Sequence, residues 1–332
     1  MSPLEPVPSS RLLDEIDDPA ARTGRSPVGQ RHYLLLDATE CAQQEQLATW
    51  LRTLPCPVLG LHSSGVRNPI TDACDVVLES VHEAQPLIEC IEAAPVAATV
   101  LVQLLRTTQA LPLEAALQME SLAYSTLQSG GEFQRWLATH RADAPALHSD
   151  EGPAVLMQRE GSTLTLALNR ASNRNGMTVE MRDALVEALQ LVLADDSIKR
   201  VQLSGRGKCF STGGDLTEFG SAPDPATAHI VRSLALPGRL LAACSERVEI
   251  QVHGACVGSG IEFPAFAEKI VARNDAYFQL PELKFGLIPG AGGTVSIARR
   301  IGRQRTAWLV LSGKRIKAPQ ALELGLIDAI AD

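Results

Sequence analysis

Short apolar runs alternate with amphipathic stretches along most of this 332-residue chain. Strand side chains alternate between two faces and helical ones repeat every 3.6 residues. Apolar runs of a few residues between Gly, Pro or Asp therefore predict strands, and recurrence at i, i+3 and i+4 predicts helices. In the first half, residues 33–36, 57–61 and 75–78 predict strands, and 40–52, 81–91, 97–107, 113–127 and 131–140 predict helices. Residues 1–30, rich in Pro, Ser, Arg and Asp, predict a flexible tail. Residues 142–152 are polar and broken by Pro and Gly, which predicts a linker between an N-terminal α/β and helical region (31–141) and a C-terminal unit (153–332).

In the second half, residues 164–168, 200–203 and 249–253 predict strands, and 179–193 an amphipathic helix. A glycine-rich bend and an apolar helix follow residue 253. Alternating β and α elements predict an α/β fold with a mainly parallel sheet and crossover helices. No tandem repeat is visible.

Composition narrows the function. With 45% hydrophobic and 20% charged residues, the chain can bury one large core or two smaller ones. A net charge of −8 leaves no basic face for nucleic acid, though local donors can still bind a small anion. No run of about 18 apolar residues predicts a membrane span, and the N-terminus lacks the apolar stretch of a signal peptide. Seven cysteines without metal-ligand spacing predict reduced core thiols in a cytoplasmic protein, and no metal site.

Two turns carry more glycine than packing requires. Phe210-Ser-Thr-Gly-Gly-Asp-Leu216 follows a predicted strand, and its glycines let a ligand approach free backbone N–H groups. In His253-Gly-Ala-Cys-Val-Gly-Ser-Gly-Ile-Glu262 a strand end, glycines and a helix N-terminus coincide, which suits an anion or a developing enolate. Neither turn has dinucleotide or Walker spacing. Glu262 sits in the first turn of the apolar helix. Glu282 follows Pro281 in an apolar loop, where burial raises a carboxyl pKa toward neutrality.

Taken together, these segments resemble the crotonase (enoyl-CoA hydratase/isomerase) superfamily. Lys208-Cys-Phe-Ser-Thr-Gly-Gly-Asp-Leu216 resembles its first oxyanion segment and residues 254–262 its second. Pro281-Glu282 with Gly286-Leu-Ile-Pro-Gly-Ala-Gly-Gly-Thr294 resembles a third signature, and Asn169–Asn175 a segment that lies along coenzyme A. The resemblance implies a ββα spiral core over 153–332 and an acyl-CoA thioester as partner, with no cofactor beyond coenzyme A as part of the substrate. It places the backbone N–H groups of Gly214 and Ser259 at the substrate carbonyl; serine at the second position departs from the usual glycine. It puts Glu262 and Glu282 where hydratases keep two catalytic glutamates. Arg174, Thr212, Gly213, Asp215, Gly258 and Gly290 fall at substrate-binding positions. The activity implied is enoyl-CoA hydration. Alternatives are double-bond isomerisation, thioester or C–C hydrolysis, decarboxylation, or a silent acyl-CoA-binding subunit.

Relatives of this kind continue past the segment resembling residues 321–328 into helices that close the site and pack into oligomers. Here residues 94–106, 113–120 and 129–137 resemble those helices instead. The expectation is a circularly permuted chain in which 86–141 closes the core, assembled as a homo-oligomer (trimer, dimer of trimers or dimer).

Overall fold

The computed structural model describes residues 5–39, 43–62, 67–140 and 150–331. Four short strands, β1 (Val7–Pro8), β2 (Leu34–Asp37), β3 (Val58–Leu61) and β4 (Val76–Leu78), form a parallel sheet in sequence order. Alternation along these strands decides which side chain goes where. Leu35, Leu59, Val76 and Leu78 face the main core, while Leu34, Leu36 and Val58 pack with Leu47, Leu51 and Leu54 on the other side.

Residues 5–30 depart from the flexible tail expected. Val7 and Pro8 pair with Leu36 and Asp37, and Leu12 is fully buried. Buried Arg25 donates to both carboxylate oxygens of Glu15, at 2.8 and 2.7 Å. The polar composition hides Val7, Leu12, Leu13 and Ile16, which cover the outer face of the sheet. Of the expected linker, residues 142–149 lie outside the described residues.

The second half holds two sheets. Strands β5 (Val155–Glu160), β6 (Thr163–Leu168), β7 (Arg200–Gly205), β8 (Val248–Val252), β10 (Lys269–Arg273) and β13 (Ala329–Ala331) form a six-stranded sheet, antiparallel only between β5 and β6. Strands β9 (Ala255–Val257), β11 (Tyr277–Gln279) and β12 (Ile316–Lys317) form a smaller one. The chain passes from β8 to β9 at Gly254, whose φ is +55°. A Cβ there would lie 2.5 Å from the Lys208 carbonyl oxygen, so only glycine allows the crossing. Pro264 ends the apolar helix after one turn, leaving Ser259–Glu262 and a 3-10 turn where a longer helix was expected.

The helices Val81–Ala93, Pro95–Thr108, Leu113–Gln128 and Gly131–Thr139 follow the apolar periodicity closely. They do not form a separate lobe. One continuous cluster of buried apolar side chains runs from Leu35 to Ile327 and includes Leu101 and Leu104, and Leu117 packs with Val295 in a satellite cluster. Asp75, 1% exposed, ties the N-terminal sheet to this core: it accepts from Val58 N at 2.8 Å, Arg106 Nε at 2.8 Å and Arg303 Nη1 at 3.0 Å. No single described helix is long and apolar enough to cross a membrane.

Candidate active site

The two glycine-rich turns lie side by side. Ser211 N donates to Ala255 O and Val257 N donates to Ser211 O, both at 3.1 Å, which stitches the first turn onto β9. Gly213, at φ +89°, sits so close to Val257 that a Cβ would meet its carbonyl oxygen at 2.6 Å. Met177 N donates to Gly213 O at 2.7 Å and Asp215 N to Met177 O at 3.3 Å, so the intervening Gly214 amide points away from this pairing. Ser259 is the first residue of its helix and its amide has no intrahelical acceptor. Among the described residues neither the Gly214 nor the Ser259 amide donates to a protein acceptor. Both residues line one cavity of about 600 Å³. Two unused N–H groups beside each other are what a carbonyl oxygen gaining charge requires.

Glu262 and Glu282, 3% and 8% exposed, line the same cavity. A Cβ placed on Gly258 would lie 2.8 Å from Glu282 Oε1 and 3.9 Å from Glu262 Oε1, so the two carboxyl groups bracket one point next to the free amides. Glu262 Oε2 accepts from Ala291 N at 2.7 Å and Gly293 N at 3.1 Å. Ser259 Oγ and Glu282 Oε2 are buried with no hydrogen-bond partner among the described residues. Buried polar atoms are rarely left unpaired, so two on one cavity wall point to a ligand that completes them.

A third carboxylate joins the pair from the first half of the chain. Glu120, 2% exposed on the Leu113–Gln128 helix, accepts from Gly292 N (2.7 Å), Thr294 N (2.8 Å) and Thr294 Oγ1 (2.6 Å). Four successive amides, 291 to 294, thus go alternately to Glu262 and Glu120 at the N-terminus of the Gly293–Ile301 helix, where the dipole favours negative charge. Burial pushes Glu120 up to about 7 against these bonds, and pushes Glu282 up to about 8. Glu262 is driven well above the usual range by burial, then by the charges of Glu282 and Glu120, its two amide bonds opposing.

Thr212, Gly213, Gly258 and Gly290 also line the cavity. Arg174 and Asp215 do not. Arg174 is exposed, in the left-handed region at φ 52°, with its carbonyl accepting from Thr212 N at 3.2 Å. Asp215 caps the Leu216–Glu218 turn through Thr217 N (2.9 Å) and accepts from Asn173 Nδ2 (2.8 Å), a structural use of its carboxylate. The helical first half supplies walls that sequence reasoning did not assign. Tyr124 presses on Gly290, and Trp136, behind the lining, packs tilted against Phe285 and edge-on to Phe219, centroids 4.9 and 5.9 Å away. The signal for Glu120 was legible: it is a charged residue on the stripe formed by Ala116, Leu117 and Leu127, where the helix faces the interior. Among the described residues no cluster of His, Cys, Asp and Glu could hold a metal.

Comparison with known proteins places this geometry in a class. The family model described as enoyl-CoA hydratase/isomerase matches residues 158–332. The chain is 33% identical over 176 residues to 2,3-dehydroadipyl-CoA hydratase of Escherichia coli K12, covering 53% of this chain and 68% of that protein. It is 34% identical over 183 residues to 1,2-epoxyphenylacetyl-CoA isomerase of the same strain, covering 54% and 70%. Among solved structures, an enoyl-CoA hydratase from Thermoplasma volcanium superposes with a TM-score of 0.50 at 29% identity, over 55% of this chain and 73% of that one. An enoyl-CoA hydratase/isomerase from Mycobacterium abscessus gives 0.51 at 29%, over 54% and 71%. The chain belongs to the enoyl-CoA hydratase/isomerase family and carries the crotonase fold.

Proposed function

We propose that the protein is an enoyl-CoA hydratase, adding water across the double bond of a 2-enoyl-CoA thioester. The observation that carries this reading is the convergence of two buried carboxyl groups, Glu262 and Glu282, on one point beside two unused amides. The thioester carbonyl accepts from Gly214 and Ser259; each such donor is worth about 3 kcal/mol as negative charge develops on the oxygen. That polarisation makes C3 electrophilic. Glu282, pushed up to about 8, holds a proton at neutral pH and is the acid that delivers it to C2. With Glu282 protonated, its repulsion on Glu262 is gone, and the Ala291 and Gly293 amides stabilise the Glu262 carboxylate against the burial that opposes it. Glu262 Oε1 then takes the proton of the attacking water. Proton count balances: one leaves water, one reaches C2, and the two carboxyl groups exchange states. We further read residues 86–141 as the family's closing helices placed ahead of the core, because Tyr124 lines the cavity and Glu120 and Trp136 support its wall from that side.

The test is turnover of 2-enoyl-CoA thioesters, followed by loss of the conjugated-thioester absorbance, in the wild type and the Glu262→Gln and Glu282→Gln variants. Each variant should lose at least about a hundredfold in kcat with thioester binding retained, the usual share of an acid–base group. Full turnover in Glu262→Gln would replace hydration by a double-bond shift through Glu282 alone. Binding without any turnover in the wild type would leave a silent acyl-CoA-binding subunit.

A further inference from the structure

The lining of this cavity includes a cation that this chemistry does not use. Arg232, half-buried on the Pro225–Leu234 helix, lines the cavity with its guanidinium 4.7 Å from the centroid of the Tyr124 ring. Its donors go to Ser121 Oγ (3.1 Å), Ser121 O (3.3 Å), Gln128 Oε1 (3.3 Å) and Ser125 Oγ. All four acceptors are neutral. Among the described residues no carboxylate lies within ion-pair distance of Arg232, whereas the other deeply placed arginines, Arg25, Arg106, Arg170 and Arg303, each have one.

We propose that Arg232 is a subsite for a carboxylate at the far end of the acyl chain, so that the preferred substrate is a thioester of a dicarboxylic acid. The inference rests on the acyl-CoA reading of the site. A partly buried cation is costly to leave without a counter-charge, and a hydrogen bond from it to a carboxylate is stronger than one to a neutral acceptor. Four hydrogen bonds to the Leu113–Gln128 helix fix the group and use four of its five N–H donors, leaving one on Nη1 for a ligand. The side chain is preorganised, so little entropy is lost on binding. Burial pulls the guanidinium pKa down, with Tyr124 and Glu120 pulling the other way. The Tyr124 ring touches both the guanidinium and Gly290, next to the amides that bind Glu262 and Glu120, which places the cation near the glutamate cluster. The coenzyme's phosphates are separated from the thioester carbonyl by the whole pantetheine arm, so the anion that reaches Arg232 belongs to the acyl group. Glu282, whose burial favours the protonated form, adds no negative charge against it at neutral pH.

The experiment uses the full-length chain and non-reactive saturated thioesters, so that it does not depend on which reaction follows. Affinities for butanoyl- and succinyl-CoA, hexanoyl- and adipyl-CoA, and octanoyl- and suberyl-CoA are measured by calorimetry, with free coenzyme A alongside. In at least one pair the carboxylated member should bind about 10- to 100-fold tighter, the range of a charge-assisted contact. Arg232→Gln should bring that ratio close to one, and Arg232→Lys, which keeps the charge but loses the hydrogen bonds that hold it in place, should retain part of it. A wild type that prefers the methyl-ended member of every pair overturns the proposal without variants. An equal loss of free coenzyme A affinity in Arg232→Gln would assign the side chain to the phosphates instead. If no thioester of either kind binds, the acyl-CoA reading falls first and this proposal with it.

Discussion

Gly293→Ala separates the stability of the fold from the placement of its base. Gly293 opens the Gly293–Ile301 helix with a φ outside the left-handed region, so alanine is allowed by the backbone and gains up to about 1 kcal/mol of helix propensity. Its Cβ, however, would lie 2.5 Å from Glu262 Cγ and 2.8 Å from Oε2, where carbon contacts ordinarily stand about 3.5–4.0 Å apart. Glu262 can yield only toward the cavity it lines, so it must shift by about 1 Å and loosen its bonds to Ala291 and Gly293. Overpacking of this size costs about 1–3 kcal/mol, leaving a net loss near 0–2 kcal/mol. Misplacing a reacting group by about 1 Å costs roughly a hundredfold in rate. Thermal melts and steady-state hydration kinetics should therefore diverge: a folded protein, slightly destabilised, with kcat down about a hundredfold. A variant that hydrates at the wild-type rate, or a crystal structure of it with Glu262 unmoved, would refute the reasoning.

Because Glu282 must hold its proton to act as acid, kcat/KM should fall as pH rises through about 8, and Glu282→Gln should abolish that limb of the profile. Glu120 is raised from 4.5 to about 7 on folding, so its contribution to stability is fully present below 4.5 and lost as pH rises through 7. Denaturant melts at pH 5 and pH 8 should show a smaller pH dependence in Glu120→Gln than in the wild type. Asp75→Asn leaves Arg106 and Arg303 without their shared buried counter-charge and should cost about 3–5 kcal/mol by the same melts, with kcat preserved in the folded fraction. Residues 153–332 expressed alone should be insoluble or inactive, and a chain with 86–141 moved behind Asp332 on a flexible linker should fold and turn over. A soluble, active 153–332 fragment would remove the basis for a permuted arrangement.

Much of the architecture was legible because periodicity and glycine placement are local signals. The helices at 81–93, 95–108 and 113–128 and strands β2, β3 and β4 fall within a few residues of their apolar patterns. Strand β5 left no such trace: from Gln158 to Glu160 it is polar and exposed, and its partner β6 alone has the apolar face. The order in residues 5–30 was hidden for a related reason, since four apolar residues among many polar ones look like a tail until a sheet needs a cover. At the cavity, Glu262, Glu282 and the free amides of Gly214 and Ser259 were singled out by the family resemblance of their segments. Glu120, Tyr124 and Arg232 were not, because each takes its place through a contact between distant parts of the chain, 172 residues apart for Glu120 and Gly292. A charged residue on an apolar helix stripe is the one sequence signal that pointed at such a contact.

The account turns on water being added at C3, and isotope tracing tests that most directly. The wild-type protein, given a 2-enoyl-CoA thioester in ¹⁸O-labelled water, should yield a 3-hydroxyacyl-CoA carrying the label at the C3 hydroxyl, with label incorporation lost in Glu262→Gln. An unlabelled product with a shifted double bond, or label appearing only in a released carboxylic acid, would contradict it.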